Sequence, residues 1–273
     1  SRSTEEEAAT RSSRDLDAEN GTAESITTIQ LNAAGKPASE GDFGNWYYSA
    51  ASGCQLDTGV FALQPSSEPE AESALKARLF RIGDKAELVR GTVGCVTNNY
   101  GTIFDGIFQG KVANFRTISG GTFQGEVNNW ETISNGTFQR EVDNAGTISD
   151  GTFNGKVYNY GNISNGTFQG EVYNAGTISN GTFQGTVGNC KTISGGTFEE
   201  VVEVYASSGT EAEIEGGTFE KGMTLKNNDA SITISDGLFK GEVSTEGCAS
   251  PLSISGGLFT KAVDVSKIIP GNL

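Results

Sequence analysis

The sequence repeats itself every fifteen residues, and this regularity constrains the fold more than any other feature. Phenylalanine occupies positions 108, 123, 138, 153, 168, 183 and 198, with isoleucine five residues before each and valine four residues after. After Phe198 the spacing widens, and the next phenylalanines are Phe219, Phe239 and Phe259. So long a run of equal spacings is typical of a repeat architecture in which each unit packs only on its neighbours.

Within one unit, apolar and polar residues alternate over three short stretches of the type Thr-Ile-Ser, Thr-Phe-Gln and Glu-Val-Tyr. Alternation with a period of two predicts β-strands, and the Asn-Gly, Asp-Gly or Gly-Gly pairs between the first two stretches accept positive φ and predict sharp corners. A single coil with three apolar side chains cannot offset its ordering entropy, whereas stacked coils cover one another. We therefore predict an all-β fold, a single-stranded parallel β-solenoid with three short strands per 15-residue coil and longer 20–21-residue coils toward the C-terminus.

A fourth column of the repeat is asparagine, which recurs once in each regular coil. Its members are Asn99, Asn114, Asn129, Asn144, Asn159, Asn174 and Asn189. Asparagine at the same corner of every coil can bond to the asparagines above and below it, so we predict a structural ladder that satisfies buried polar groups of the turns.

The repeat also divides the chain into four regions. Residues 1–40 form a polar leader that contains a strand-like segment over residues 24–32, and residues 41–92 an N-terminal cap with irregular first coils. Residues 93–203 are the seven regular coils, and residues 204–273 the longer coils and C-terminal end. Because a solenoid has strand edges at both ends, residues 24–32 could be donated to a neighbouring chain and build a head-to-tail filament.

Composition excludes several classes of function. A net charge of -15 is unsuited to nucleic acid or an anionic membrane, and no run of apolar residues is long enough to span a bilayer. The chain has no histidine, so the usual catalytic triads and most transition-metal sites lose their main residue. We expect no cofactor, no metal and no enzymatic activity.

The cysteines offer one plausible disulfide. The solenoid would place Cys190 several coils away from both Cys95 and Cys248, too far to bridge. Cys54 and Cys95 both lie near the N-terminal end and could pair, with buried free thiols as the alternative.

Aromatic residues at coil spacing form the main candidate ligand-binding surface. Tyr100, Phe115 and Trp130 each follow a ladder asparagine. The sequence places three more tyrosines near this strip, at Tyr158, Tyr160 and Tyr173. Sugar rings stack on such aromatic surfaces, while mutual stacking or a protein contact would explain the strip equally well.

Two other functions have weaker support. Columns of Thr-x-Ser, such as Thr117 with Ser119, resemble the Thr-x-Thr arrays of insect ice-binding solenoids, although threonine also suits an exposed strand. A polysaccharide lyase needs acidic calcium ligands beside a basic residue, and the nearest cluster is Arg140, Glu141, Asp143 and Asp150, for which a solvated charge patch is the alternative.

The segment GNWYYSAASGCQLDTGVFAL (residues 44–63), followed by ISGGTF-type units, resembles secreted surface proteins of Gram-positive gut anaerobes. Those proteins look like pectate-lyase-type parallel β-helices and are often described as carbohydrate-binding domains. The resemblance covers roughly residues 40–265 and implies a right-handed solenoid and a secreted or cell-surface location.

Together these patterns predict a non-enzymatic structural or adhesive protein that assembles through its ends or meets host or cell-surface glycans. A carbohydrate-binding module that uses the aromatic strip is the alternative from a different class. Fold alone cannot choose between them, because solenoids carry many unrelated functions.

Overall fold

The structure is a computed structural model that describes residues 25–65, 74–207, 209–250 and 252–263. These residues form β-strands joined by turns and contain no helix. The first part of the predicted polar leader, residues 1–24, lies outside the described residues.

Each coil contributes three strands, which we name after their characteristic buried residue. The Phe strands are Thr92–Val93, Ile107–Phe108, Thr122–Phe123, Thr137–Phe138, Thr152–Phe153, Thr167–Phe168, Thr182–Phe183, Thr197–Phe198, Thr218–Phe219, Leu238–Phe239 and Leu258–Phe259. The Asn strands are Thr97–Asn99, Val112–Asn114, Val127–Asn129, Val142–Asn144, Val157–Asn159, Val172–Asn174, Val187–Asn189, Val202–Ser207, Gly222–Asn228 and Glu242–Cys248. The Ile strands are Thr102–Ile103, Thr117–Ile118, Thr132–Ile133, Thr147–Ile148, Asn162–Ile163, Thr177–Ile178, Thr192–Ile193, Ala212–Ile214, Ile232–Ile234 and Ser253–Ile254.

The strands stack in parallel and in register from one coil to the next. Phe108 pairs with Phe123, Ile118 with Ile133 and Val112 with Val127. Beyond the regular coils, the Phe strand that ends at Phe198 pairs with the one that ends at Phe219, and the pairing continues to Phe239 and Phe259. The predicted parallel solenoid, with three strands per regular coil and longer coils toward the C-terminus, is confirmed.

Columns of identical apolar side chains form the core. The repeat isoleucines, phenylalanines and valines are essentially inaccessible to solvent from Ile103 to Phe239. Consecutive phenylalanine rings from Phe108 to Phe259 lie nearly parallel, with centroids 4.5–5.0 Å apart. Stacked rings touch at about 3.5 Å between planes, so this longer centroid distance corresponds to offset stacking, which the ring quadrupoles favour.

The corner before each Phe strand requires glycine. Gly166, for example, has φ +126°, and a Cβ at that position would lie 3.2 Å from the Gly151 carbonyl oxygen and from the Phe168 ring. The preceding polar residue holds the corner, since Oδ1 of Asn135 accepts a hydrogen bond of 2.8 Å from the Gly136 N–H. Asp150 makes the same contact with Gly151, so asparagine and aspartate are equivalent at this corner.

Six strands form the N-terminal end: β1 (Thr27–Gln30), β2 (Gly41–Asp42), β3 (Trp46–Ser49), β4 (Gly53–Gln64), β5 (Ala74–Leu75) and β6 (Phe80–Arg90). The long strands β4 and β6 pair in parallel, and β6 continues into the regular coils by pairing with both an Asn strand and an Ile strand. Strand β3 pairs antiparallel with the first part of β4 and with β2, so the β2–β3 hairpin caps this end of the parallel stack.

The segment predicted as a donated strand is part of this end rather than a free arm. Its strand β1 pairs in parallel with the last four residues of β4 in the same chain, Thr27 opposite Phe61. The β2–β3 hairpin covers only the first half of the β4 edge, and β1 covers the second half. Ile29 and Leu31 are therefore buried against the core. The segment therefore completes its own solenoid in this structure.

The asparagine ladder is continuous through all seven regular coils. Each Nδ2 from Asn99 to Asn174 donates to Oδ1 of the next ladder asparagine, at 2.6–2.7 Å. The same amide donates to carbonyl oxygens of the following turn, as Asn174 does to Gly176 and Thr192 at 3.1 Å. All seven side chains are buried. Together these bonds satisfy amides and turn carbonyls that would otherwise be buried without partners.

Replacement of one ladder residue tests this account directly. Asn129→Ala removes the acceptor of Asn114 and the donor of Asn144, so we expect the free energy of unfolding to fall by about 3 kcal/mol. Its neighbour Asn128, half-buried on the outward side of the same strand, is the matched control. Asn128→Ala should change stability by no more than about 0.5 kcal/mol in chemical denaturation. Equal losses for the two variants would contradict a ladder role.

Deletion of one complete coil tests the register. Removing residues 163–177 joins Asn162 to Ile178 and leaves every column intact, because each residue is replaced by its register partner. We expect a folded, slightly shorter solenoid by circular dichroism and cooperative melting. Removing the smaller segment 163–170 leaves a partial coil without its buried Ile and Phe, and should cause misfolding. A comparable melt for both deletions would be inconsistent with coil-by-coil stacking.

Candidate functional site

The corner that follows the asparagine ladder carries one outward side chain per coil, a set we call the aromatic column. Its members are Tyr100, Phe115, Trp130, Ala145, Tyr160, Ala175, Cys190 and Tyr205. Tyr205 belongs to this column because Asn189 pairs with Val204, which places the next residue opposite Cys190. The column continues into Lys226 and Gly247 in the longer coils.

Tyr100, Phe115 and Trp130 form a compact stack at one end of the column. Both centroid distances are 4.7 Å, with planes within 7° of parallel, and the Arg81 guanidinium lies 4.6 Å from the Tyr100 centroid. Phe115 and Trp130 remain 36% and 45% exposed. The inner ring faces are thus occupied by one another, and a ligand would meet ring edges and the face of Trp130 next to Ala145.

The other predicted aromatic residues do not extend this stack. Tyr160 is separated from Trp130 by the coil of Ala145 and is 58% exposed. Tyr158 and Tyr173 occupy the outward column of the Asn strands, where their rings are 6.3 Å apart and tilted by 55°. The structure therefore divides the six predicted residues into a stack of three and a looser group of three tyrosines.

An open groove of about 510 Å³ lies beside this looser group, where the Asn strands lengthen. Its principal lining residues are Tyr173, Cys190, Tyr205, Lys226, Asn227 and Gly247. Sequence reasoning assigned Tyr173 to a binding surface and missed the others: Cys190 is not aromatic, and Tyr205 follows Val204 instead of a ladder asparagine. Counting fifteen residues on from Cys190 would have identified Tyr205.

Two polar pairs lie at the groove or directly beside it. The Cys190 sulfur and the Tyr173 hydroxyl oxygen lie 3.2 Å apart, within hydrogen-bonding distance. This contact raises the pKa of Tyr173 to about 12, with smaller contributions from burial, from the charge of Cys190 and from Tyr160. The Lys226 ammonium lies 5.1 Å from the Tyr205 ring centroid and 3.5 Å from a carboxylate oxygen of Glu203, so its charge is balanced.

Cys54 and Cys95 are free thiols in the structure and do not form the predicted disulfide. Cys54 pairs with Phe80, which pairs with Thr97, so Cys95 lies two coils from Cys54, a separation of about 10 Å where a disulfide needs Cα atoms within about 7 Å. Burial, followed by the nearby charge of Cys95, raises the pKa of Cys54 to about 12. Burial also raises the pKa of Cys95, against the lowering effect of backbone hydrogen bonds.

The residues singled out for lyase and ice-binding functions have local structural contacts. Asp150 caps the N–H of Gly151, and Arg140 and Glu141 are exposed. Within the described ranges, no group of three His, Cys, Asp or Glu side chains is placed to hold a metal ion. In the serine column of the Thr-x-Ser face, the Ser164 and Ser194 hydroxyls donate to the Ile148 and Ile178 carbonyl oxygens at 3.2 and 3.5 Å, so these hydroxyls are satisfied within the solenoid.

Comparison with protein-family models, curated proteins and solved structures finds no match to this chain. The resemblance to surface proteins of gut anaerobes therefore rests on its sequence motifs alone. In the described part of the chain, no helix has the length and apolar character needed to cross a membrane.

The Tyr173–Cys190 contact can be tested by titration. The hydrogen-bonding contact with Cys190 is the main cause of the raised pKa of Tyr173, so Cys190→Ala should lower that pKa from about 12 toward its ordinary value, about 10. The titration of Tyr173 is obtained from tyrosinate absorbance, as the difference between each protein and the same protein carrying Tyr173→Phe. Cys95→Ala, at a distant half-buried thiol, is the control and should change nothing. Ionisation of Tyr173 near 10 in the unmodified protein would refute the contact.

Proposed function

We propose that this chain is a non-enzymatic structural element of the cell surface or extracellular space, with an adhesive or fibre-forming role. The observation that carries the proposal is the unbroken stack of buried phenylalanines from Phe108 to Phe239, which makes one continuous core. A core in which each coil packs on in-register neighbours extends along one axis as coils are added, which suits a spacer or fibre subunit. The strongly acidic composition favours a soluble surface rather than contact with nucleic acid or membrane.

The two ends of the solenoid differ in ways that support head-to-tail association. At the N-terminal end the β2–β3 hairpin is antiparallel and exposes Phe43 beside Trp46, with ring centroids 4.1 Å apart. At the other end of the described chain the last strands pair on one side only, and Leu258 is 65% exposed beside the half-buried Phe259. An apolar end that meets a different apolar end gives a contact that does not close, so copies would add along one axis.

Assembly can be tested at Leu258. Leu258→Lys places a charge on the last described Phe strand, Leu258–Phe259. The protein concentration needed for association should then rise at least tenfold. Sedimentation velocity and electron microscopy across a dilution series measure the change. Leu238→Lys is the matched control, since Leu238 occupies the same column one coil earlier, between Thr218 and Leu258. Short rods at every concentration, or equal effects of both variants, would count against assembly through this end.

A second candidate function is carbohydrate binding on the face that carries the aromatic column. The groove beside Tyr205 favours it, because it combines aromatic surface with hydroxyl and ammonium groups, and the Glu203 carboxylate lies next to that ammonium. Sugar-binding surfaces use this combination, with ring stacking for affinity and polar groups for orientation. The two candidates are compatible, since an adhesive rod needs a ligand-binding surface.

A further inference from the structure

We propose that the groove between Tyr173 and Tyr205 is a binding site for one pyranose ring of a neutral polysaccharide, distinct from the Tyr100–Phe115–Trp130 stack. The inference rests on the carbohydrate-binding candidate and assigns it to particular residues. Three features carry it: an opening between aromatic side chains, a balanced pair of charges and a local irregularity of the strands.

The opening exists because two positions between aromatic residues have small side chains. Gly188 lies in the coil between Tyr173 and Tyr205, and a Cβ built there would be 3.7 Å from an atom of each ring. The two rings thus flank a space that admits a carbon atom in ordinary contact with both. Cys190 precedes Tyr205 in the aromatic column, so no stacked ring covers Tyr205 on that side as Phe115 covers Tyr100. The groove as a whole, about 510 Å³, is in the size range of ligand sites, and the apolar C–H faces of a pyranose can pack on the ring faces that remain open.

The charges at the groove favour a neutral sugar. Lys226 and Glu203 are 3.5 Å apart, so they supply an ammonium donor and a carboxylate acceptor with no net charge. Sugar hydroxyls both donate and accept hydrogen bonds, and can bridge such a pair. A polyuronate would meet an unfavourable field from a protein of net charge -15.

The strand irregularity keeps the far side of the groove open. Pairing between Gly222–Asn228 and Glu242–Cys248 shifts register between Thr224 and Lys226, which brings Gly247 opposite Lys226. A Cβ at Gly247 would lie 2.6 Å from Cγ of Lys226, so any larger residue would displace the lysine side chain. The extra residue lies in the strand Glu242–Cys248, so the irregularity places a glycine instead of a larger side chain beside Lys226, and β-bulges of this kind recur beside binding sites.

Affinity electrophoresis tests the assignment, with the full chain run through gels that contain galactomannan, mixed-linkage β-glucan, arabinoxylan or polygalacturonate. At least one neutral polysaccharide should retard the protein, and polygalacturonate should not. Tyr205→Ala should raise the dissociation constant at least tenfold. Gly188→Leu, which fills the opening and removes no aromatic ring, should do the same, and Tyr205→Phe should retain most of the binding. Trp130→Ala, in the separate stack, should bind as the unmodified protein does.

Cysteine alkylation supplies an internal readout in the same samples. Cys190 lines the groove, whereas the half-buried Cys95 lies at the other end of the regular coils. The retarding polysaccharide should slow alkylation of Cys190 at least threefold and leave Cys95 unchanged. Loss of binding in Trp130→Ala with normal binding in Tyr205→Ala and Gly188→Leu would overturn the groove and keep the carbohydrate-binding candidate. Absence of retardation by all four polysaccharides would overturn both, while the proposal of a structural rod is tested separately by sedimentation.

Discussion

The interaction on which the whole structure depends is the backbone hydrogen bonding between in-register parallel strands. It fixes the rise from coil to coil at about 4.8 Å, so every residue lies directly above its repeat partner. A side chain that stacks well on its own kind is therefore favoured in every coil. The buried phenylalanines and the asparagine amides both satisfy this condition, one by offset ring stacking and the other by amide-to-amide hydrogen bonds. Repetition of sequence is thus the direct result of repetition of contact.

The same condition applies to side chains on the outer surface, where the positions that depart from the repeat indicate where a ligand could bind. Tyr100, Phe115 and Trp130 stack because they occupy successive coils, and the small residues Ala145 and Cys190 interrupt that column. A column of rings without interruption would cover its own faces and leave little aromatic surface for a ligand. Binding to a solenoid of this kind therefore depends on the positions where the outer pattern is broken.

The buried columns could be predicted because the period of the sequence equals the period of the fold. The contacts of residues outside the repeat could not be predicted in this way. The pairing of β1 with β4 depends on a contact between Thr27 and Phe61 that no repeat encodes. A Cys54–Cys95 disulfide was expected because both residues lie near the N-terminal end of the solenoid. The coil that contains Phe80 lies between them. Tyr205 was missed because Val204 stands where the ladder asparagine precedes the other members of the aromatic column.

The lengthened strands also explain why the asparagine ladder ends where the groove begins. After Asn189 its position is taken by Val204 and then Leu225, where the strand continues and leaves no turn carbonyl to satisfy. The corner has moved, and Asn227 reappears there, with its amide donating to Ala230 and Ser250 carbonyl oxygens at 3.1 Å. In the regular coils the residue after the ladder asparagine turns the corner, whereas Tyr205 lies within a strand. The displaced corner thus opens the surface between Cys190 and Gly247, so the groove is a consequence of coil length.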